Sequence, residues 1–402
     1  MPDILIVAYH FPPDGVVGAQ RVAKFSKYLK KFKWKVKVVT VKENYYSYKN
    51  PELLDSLSGV EIVRTERLPP FIPGVNEEGF YWGPLLWFVL KKEIRKQKPD
   101  IVYFTGGPFY HWILAWLLKR IYHLPYILDF RDPWSLNPYR KKQVTTFSWL
   151  ARWLEKKLEP LIINEADLVV NVTEEATLMY QEKYHHLSEK KFVTLPNGVD
   201  REDLAEIGEG INFTPFDIVH TGKFGSFRNP RSFFEAYRLF IDRFSLTPTD
   251  TRFVWVGIPE ESILTLLKDL NLKQYCQIVG FKPYKESLKY IQGSKICLLI
   301  AGEHPYEPTT KIFDYIFLDK YIIAQALQGG FISRVLKEYG KGDLVPFFDS
   351  RAMLKVLIRN YENIGQNISV NDAIKSRFDR EHISFELSNL MLEIINRYLW
   401  KK

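Results

Sequence analysis

The residues in this chain best able to do chemistry are cations that directly follow strand-like runs. After FDIVHTG (216–222) come Lys223 and Arg228, in a turn loosened by Gly222 and Gly225 and closed by Pro230, which suits the first turn of a helix. After ICLLI (296–300) comes AGEHPYEPTTKIFDY, where Pro308, Thr309 and Thr310 read as a helix start presenting Lys311 and Asp314 on one face. A helix N-terminus adds roughly half a positive charge, and each close ion pair is worth about 4 kcal/mol before desolvation at an intermediate dielectric. Lys223, Arg228 and Lys311 together suit a diphosphate, and Asp314 suits a pair of vicinal ribose hydroxyls. Singly, each has a plainer reading: a basic loop facing water, and an intrahelical ion pair worth about 0.2–0.5 kcal/mol.

A second group lies in the first half. YILDF (126–130) runs into Arg131 and Asp132, so Asp129, Arg131 and Asp132 are expected to line a binding cleft, with Asp132 available as a base. The alternative is a strand-end ion pair that steadies Trp134. His111, after TGGPFY, and His10, beyond the first strand, are further candidates for the cleft, or simple caps. Metal-ligand spacing of cysteine and histidine is absent, and no D-x-D motif stands at a strand end, so no metal is expected.

These residues need a scaffold, and the chain reads as strand–helix repeats. Strands are predicted at 4–8, 36–40, 60–64, 101–105, 126–130 and 168–172, and again at 216–222, 252–257, 277–281, 296–300 and 321–325. Helices are predicted at 18–31, 85–96, 111–122, 147–165, 230–244, 260–269, 284–293, 309–318 and 350–361, while 66–83 reads as an irregular loop. The polar stretch after LPNGVD (195–200) reads as a linker. The expected architecture is α/β, two Rossmann-like doubly wound domains facing a cleft, at 1–205 and 206–379, with the amphipathic run near 380–402 packing back on the first. In such sheets ligands bind beyond the carboxyl ends of the strands, where these motifs fall.

A chain of 402 residues with 46% hydrophobic content is ample for two cores. Its opening lacks a basic signal-peptide region and its apolar runs are too short to span a bilayer, so a cytoplasmic location is expected. Two cysteines, Cys276 and Cys297, each in an apolar strand-like segment, suit buried thiols in a reducing compartment. The net charge of +9 implies anionic company. From Arg21 to Lys42 no acid occurs, and Arg21, Lys24, Lys27 and Lys31 recur at helical spacing, which suits an anionic membrane patch or acceptor site, or else a solvated lysine face. No nucleic acid partner is expected, because no interleaved basic and aromatic module is visible.

HTGKF…RNP, the pattern from Gly280 to Leu288, PTTKIFDY (308–315) and LPNGVD (195–200), with AYHFPPDGVVGAQRVAKFSKYL near the start, together resemble the retaining GT-B glycosyltransferases of family four. The resemblance implies transfer from a nucleoside diphosphate sugar donor with retention and without metal or other cofactor. It implies that Lys223, Arg228 and Lys311 neutralise the diphosphate, with Thr310 beside them. Asp314 stands where glutamate usually binds the ribose, Tyr306 replaces a second glutamate, and Gly15 and Gly18 match the loop that closes over the donor. Arg131 replaces a histidine beside the reacting sugar. A saccharide or lipid-linked saccharide acceptor is expected, at the inner face of the membrane, in bacterial surface-polysaccharide synthesis. Exposed Trp82 and Trp87 would suit that surface. The rival readings are a sugar-nucleotide epimerase and a non-catalytic sugar-binding subunit.

Overall fold

The computed structural model describes residues 1–71, 77–138, 148–225, 228–366 and 368–400. The chain divides into two compact units, one of Met1–Pro196 with Arg380–Lys402 and one of Asn197–Asp379.

Among the described residues the first unit holds a seven-stranded parallel sheet of β1 (Asp3–Val7), β2 (Lys35–Val41), β3 (Glu61–Thr65), β4 (Ile101–Thr105), β5 (Tyr126–Phe130), β6 (Leu168–Asn171) and β7 (Phe192–Thr194). The order is β3-β2-β1-β4-β5-β6-β7, so the chain reverses direction of growth between β1 and β4. Val7 pairs with Val39 on one side and Phe104 on the other. All residues of β4 and β5 are buried, which is why those strands read as unbroken apolar runs rather than alternating ones. One face packs under α2 (Glu78–Lys96), α3 (Ile113–Tyr122), α4 (Ser148–Glu165) and α5 (Glu174–Lys183), and the other under α1 (Val17–Lys31).

The second unit repeats the plan with β8 (Phe216–Thr221), β9 (Thr251–Val256), β10 (Cys276–Ile278), β11 (Ile296–Ile300), β12 (Tyr321–Gln325) and β13 (Gly342–Val345), in the order β10-β9-β8-β11-β12-β13. Its helices are α6 (Arg201–Ala205), α7 (Arg231–Phe244), α8 (Glu261–Asp269), α9 (Tyr284–Gly293), α10 (Lys311–Phe317), α11 (Phe331–Tyr339), α12 (Ser350–Glu362) and α13 (Ala373–Arg377). Apolar clusters again fill both faces of the sheet. The last helix, α14 (Arg380–Leu399), returns to the first unit, where Ile383, Leu387 and Met391 join the core under α1 and Trp34 Nε1 donates to Ser388 Oγ at 2.8 Å.

Several expectations shift. Part of the predicted loop 66–83 is helix, because α2 begins at Glu78 despite Gly79, Gly83 and an internal Pro84. Tyr81 and Trp82 are both 0% exposed, and burying two such aromatic surfaces outweighs the poor helix propensity of their neighbours. Trp82 is thus a core residue rather than the exposed aromatic expected, while residues 72–76 of that stretch lie outside the described ones. The cationic face of α1 also turns partly inward: Arg21 and Lys24 are buried, and Lys31 pairs with Glu381 at 2.6 Å. Among the described residues no helix is long and apolar enough to cross a membrane.

Candidate functional site

In the second unit the order reverses between β8 and β11, so the loops after these neighbouring strands emerge side by side. The first carries Lys223 and Arg228 and the second leads to Lys311 and Asp314. Their junction is tight. Gly222 adopts φ +83°, its N–H donates to the Val256 carbonyl at 2.7 Å, and its own carbonyl accepts from Trp255 Nε1 at 2.8 Å. A side chain at Gly257 would place Cβ 2.4 Å from the Gly222 oxygen, so only glycine lets β9 approach this turn. Lys311 lies against Gly222, with Nζ 3.5 Å from the Lys223 carbonyl. The structure therefore brings Lys223, Arg228 and Lys311 to one corner of this unit. Among the described residues neither Lys223 nor Arg228 forms an ion pair. Residues 226–227 of this loop lie outside the described ones.

The charges are poised. Burial, with Arg228 beside it, pushes the Lys311 ammonium down to about 7, against the opposing pull of Asp314 and Glu260. Asp314 accepts a hydrogen bond from the Tyr284 hydroxyl at 2.6 Å, a charge-assisted length. Glu260 accepts from the N–H groups of Phe224 at 2.8 Å and Gly225 at 3.0 Å. Neither partner was identified as functional from the sequence, although both sit immediately before or at the start of a helix that follows a strand. Thr310 is the N-cap of α10 but makes no side-chain capping bond, and its neighbour Thr309 has a buried hydroxyl without a partner among the described residues. Tyr306, in the slot of the missing glutamate, is 6% exposed and stacks on His304. His220 is fully buried and stacks on Phe224 at 4.1 Å, and burial together with Lys311 holds it well below its ordinary value, so it is neutral.

The first unit places its candidates differently. Asp129 is not open to a ligand. It forms a two-armed ion pair with Arg21, at 3.0 and 2.9 Å, while Thr105 Oγ1 donates to it at 3.1 Å and Arg21 also donates to the carbonyls of Leu195 and Pro196. Burial works against the Arg21 charge and Asp129 more than offsets it, so the guanidinium stays above its ordinary value. The expected trio thus splits: Asp129 ties α1 to the sheet, and Arg131 and Asp132 remain beyond the strand end. Arg131 donates from Nε to Gly106 O at 2.5 Å and from Nη2 to Gly107 O at 2.8 Å. Its Nη1 lies where a Gly18 side chain would be, 1.0 Å from an added Cβ, so Gly18 is required for this arginine to pass α1. Gly15 is pinned by its N–H to the Tyr48 carbonyl at 3.0 Å, and its bare Cα faces the Tyr48 ring. Asp132 is exposed, and desolvation by the surrounding protein raises its carboxyl above its ordinary value, against the pull of Arg131.

His111 departs from the catalytic expectation. It is 1% exposed, packs 4.8 Å from the Trp82 ring, and has no partner for either ring nitrogen among the described residues. Burial, with His10 adding to it, pushes it down to about 3, so it stays neutral and closed to solvent. His10 is more accessible, and its Nδ1 meets Asp14 Oδ2 at 2.7 Å, an orienting carboxylate the sequence did not single out. Among the described residues no group of acids, histidines or cysteines is arranged to hold a metal.

Residues 18–203 match the family model described as Glycosyltransferase Family 4, a span just short of half the chain. No curated protein matches the chain in sequence. Among solved structures it is similar to sucrose-phosphate synthase from Thermosynechococcus elongatus, at 17% identity and TM-score 0.69 over 99% of this chain and 100% of that one. A glycosyltransferase from Rickettsia africae matches at 16% identity and TM-score 0.67, over 98% of both chains. UDP-GlcNAc 2-epimerase from Neisseria meningitidis, bound to UDP-GlcNAc, matches at 14% identity and TM-score 0.61, over 98% of this chain and 100% of that one. The fold is therefore GT-B, two Rossmann-like α/β domains.

Proposed function

We propose that this protein is a metal-independent, hexosyltransferase-like glycosyltransferase that moves a sugar from a nucleoside diphosphate sugar to a saccharide or lipid-linked saccharide, with retention. The observation that carries the reading is the corner of the second unit where Lys223, Arg228 and Lys311 meet Asp314 beyond β8 and β11. Three cations beside a carboxylate match the charge pattern of a nucleoside diphosphate: anions at one end, a diol at the other. The family match and the nucleotide sugar held by the epimerase neighbour support it.

On this reading the cations stabilise charge that grows on the leaving β-phosphate while the sugar becomes electron-poor, and each contributes on the order of 10²–10³ in rate. The acceptor hydroxyl attacks from the face that the diphosphate leaves, and the departing phosphate accepts its proton. Arg131 and Asp132, beyond β5 in the first unit, are the groups assigned to the acceptor. Gly15 and Gly18 shape the loop beside them. The enzyme acts in the cytoplasm, at the inner membrane face, in bacterial surface-polysaccharide synthesis. The surface favouring that location is not the α1 face but the outer side of α2, where Phe88 is 64% exposed beside Lys91, Lys92 and Arg95.

A thermal-shift panel of UDP, GDP, ADP and dTDP, with and without chelator, tests the donor site. Ligand at 100 times its dissociation constant adds about 2.7 kcal/mol to the stability of what it binds. One nucleotide is expected to stabilise the wild type without metal and to leave the Arg228→Ala/Lys311→Ala protein unchanged. Stabilisation of neither protein by any of the four would sink the proposal. The epimerase neighbour favours one second reading, which predicts a changed sugar nucleotide without any acceptor; release of free nucleoside diphosphate only when acceptor is present separates the two.

A further inference from the structure

Glu260 is the N-cap residue of α8, yet its side chain does not cap its own helix. It reaches instead across to the neighbouring loop, where its carboxylate takes the Phe224 N–H at 2.8 Å and the Gly225 N–H at 3.1 Å on one oxygen and 3.0 Å on the other. Successive N–H groups in a turn with Gly225 at φ +69° make an anion-binding concavity of the kind that cradles phosphates. Here the chain fills it with its own carboxylate. Two consequences follow. The turn bearing Lys223 and Arg228 is tied to the end of β9 by hydrogen bonds to a charged acceptor, which are about twice as strong as neutral ones. And Lys311 has a negative neighbour before any ligand arrives, as the pull of Glu260 on its ammonium records.

We infer that Glu260 is the positioning residue of this corner, holding the Phe224–Gly225 amides so that Lys223 and Arg228 project, and acting as the resident counter-ion of the cations until a diphosphate replaces it in that electrostatic role. The second half of this inference rests on the donor-site reading; the first does not. The turn then offers a diphosphate its side-chain cations, since its two amides are already taken. Glutamine in place of Glu260 keeps an acceptor for both amides and removes the charge. Alanine removes both.

The two substitutions therefore have opposite expected effects on anion binding. With inorganic pyrophosphate and the same four nucleotides as probes, calorimetry should show Glu260→Gln binding two- to tenfold tighter than wild type and Glu260→Ala at least fivefold weaker. Hydrogen exchange in the segment around Phe224 and Gly225 should accelerate at least tenfold in Glu260→Ala and stay within about twofold of wild type in Glu260→Gln. A residue that merely stabilised the fold would lower the melting temperature without splitting the two variants in this way. Equal shifts in affinity for both variants, or exchange untouched by Glu260→Ala, overturns the inference while leaving the donor site standing if wild type binds a nucleotide. The expected exchange pattern in a protein that binds none of the probes overturns the donor-site reading and the counter-ion role, and upholds the hold on the turn.

Discussion

On the proposed donor-site reading, Lys311 couples ligand to proton through a single side chain. Burial and Arg228 push its ammonium down to about 7, with Asp314 and Glu260 pulling the other way. A bound diphosphate favours the charged form, so above pH 7 binding must take up a proton. The affinity of the stabilising nucleotide should be flat in this respect below pH 7 and weaken towards tenfold per pH unit above it. Calorimetry in buffers of different ionisation enthalpy reads the proton directly; Lys311→Arg should abolish the slope, and a slope that survives in that variant refutes the assignment. Tyr284 makes a separable prediction. Loss of its bond to Asp314 in Tyr284→Phe removes about 1 kcal/mol of support, so nucleoside diphosphates should bind about fivefold more weakly while pyrophosphate, which has no diol, is unaffected. Equal weakening of both would place Tyr284 with the phosphates instead. Of these residues the places of Lys223, Arg228, Lys311 and Asp314 beyond strand ends were legible in the sequence, because charge just after a strand is a local pattern. Tyr284 and Glu260 were not, since their partners lie 30 and about 35 residues away.

At the scale of elements, positions are decided by what passes close to what. Arg131 reaches the carbonyls of Gly106 and Gly107 only because the start of α1 presents Gly18 to it. In Gly18→Ala the new methyl occupies the place of Nη1, and the guanidinium must leave. On the proposed reading Arg131 meets the reacting groups, where a displacement of about 1 Å can cost 10²-fold, so turnover should fall by roughly 10–100-fold while the nucleotide-induced thermal shift, assigned by that reading to the other unit, is retained. Parallel loss of both would show that the substitution has unfolded the protein rather than moved one arginine. The same element explains a misreading. The spacing Arg21, Lys24, Lys27, Lys31 marks one side of a helix but not which way that side faces, and Arg21, paired with Asp129, and Lys24 face inward.

At the scale of the whole molecule, two histidines are buried neutral, one in each unit. Both His111 and His220 are held below their ordinary value, so below about pH 6.5 the unfolded chain binds protons that the folded one refuses. Their contribution to stability is present above pH 6.5 and is lost as the pH falls towards each folded value, by about 1.4 kcal/mol per pH unit for each histidine. Urea midpoints from pH 6.5 to 5 should therefore decline less steeply in His111→Phe than in wild type; identical slopes would mean that the ring protonates in the folded state. The tandem α/β architecture was legible in the sequence because burial on both faces of a parallel sheet writes continuous apolar runs, and helices between them write a 3.6-residue period. Both signals are local. The sequence by itself thus determined the strand–helix alternation, the two cores and the cations at strand ends. Only the tertiary structure decided that Trp82, Arg21 and His111 are interior, that α2 begins before its prolines and glycines are passed, and that Glu260 and Tyr284 serve the same corner as Lys311. Each of those outcomes depends on which strands become neighbours, and strand order is fixed by the packing of the whole sheet rather than by any window of the chain.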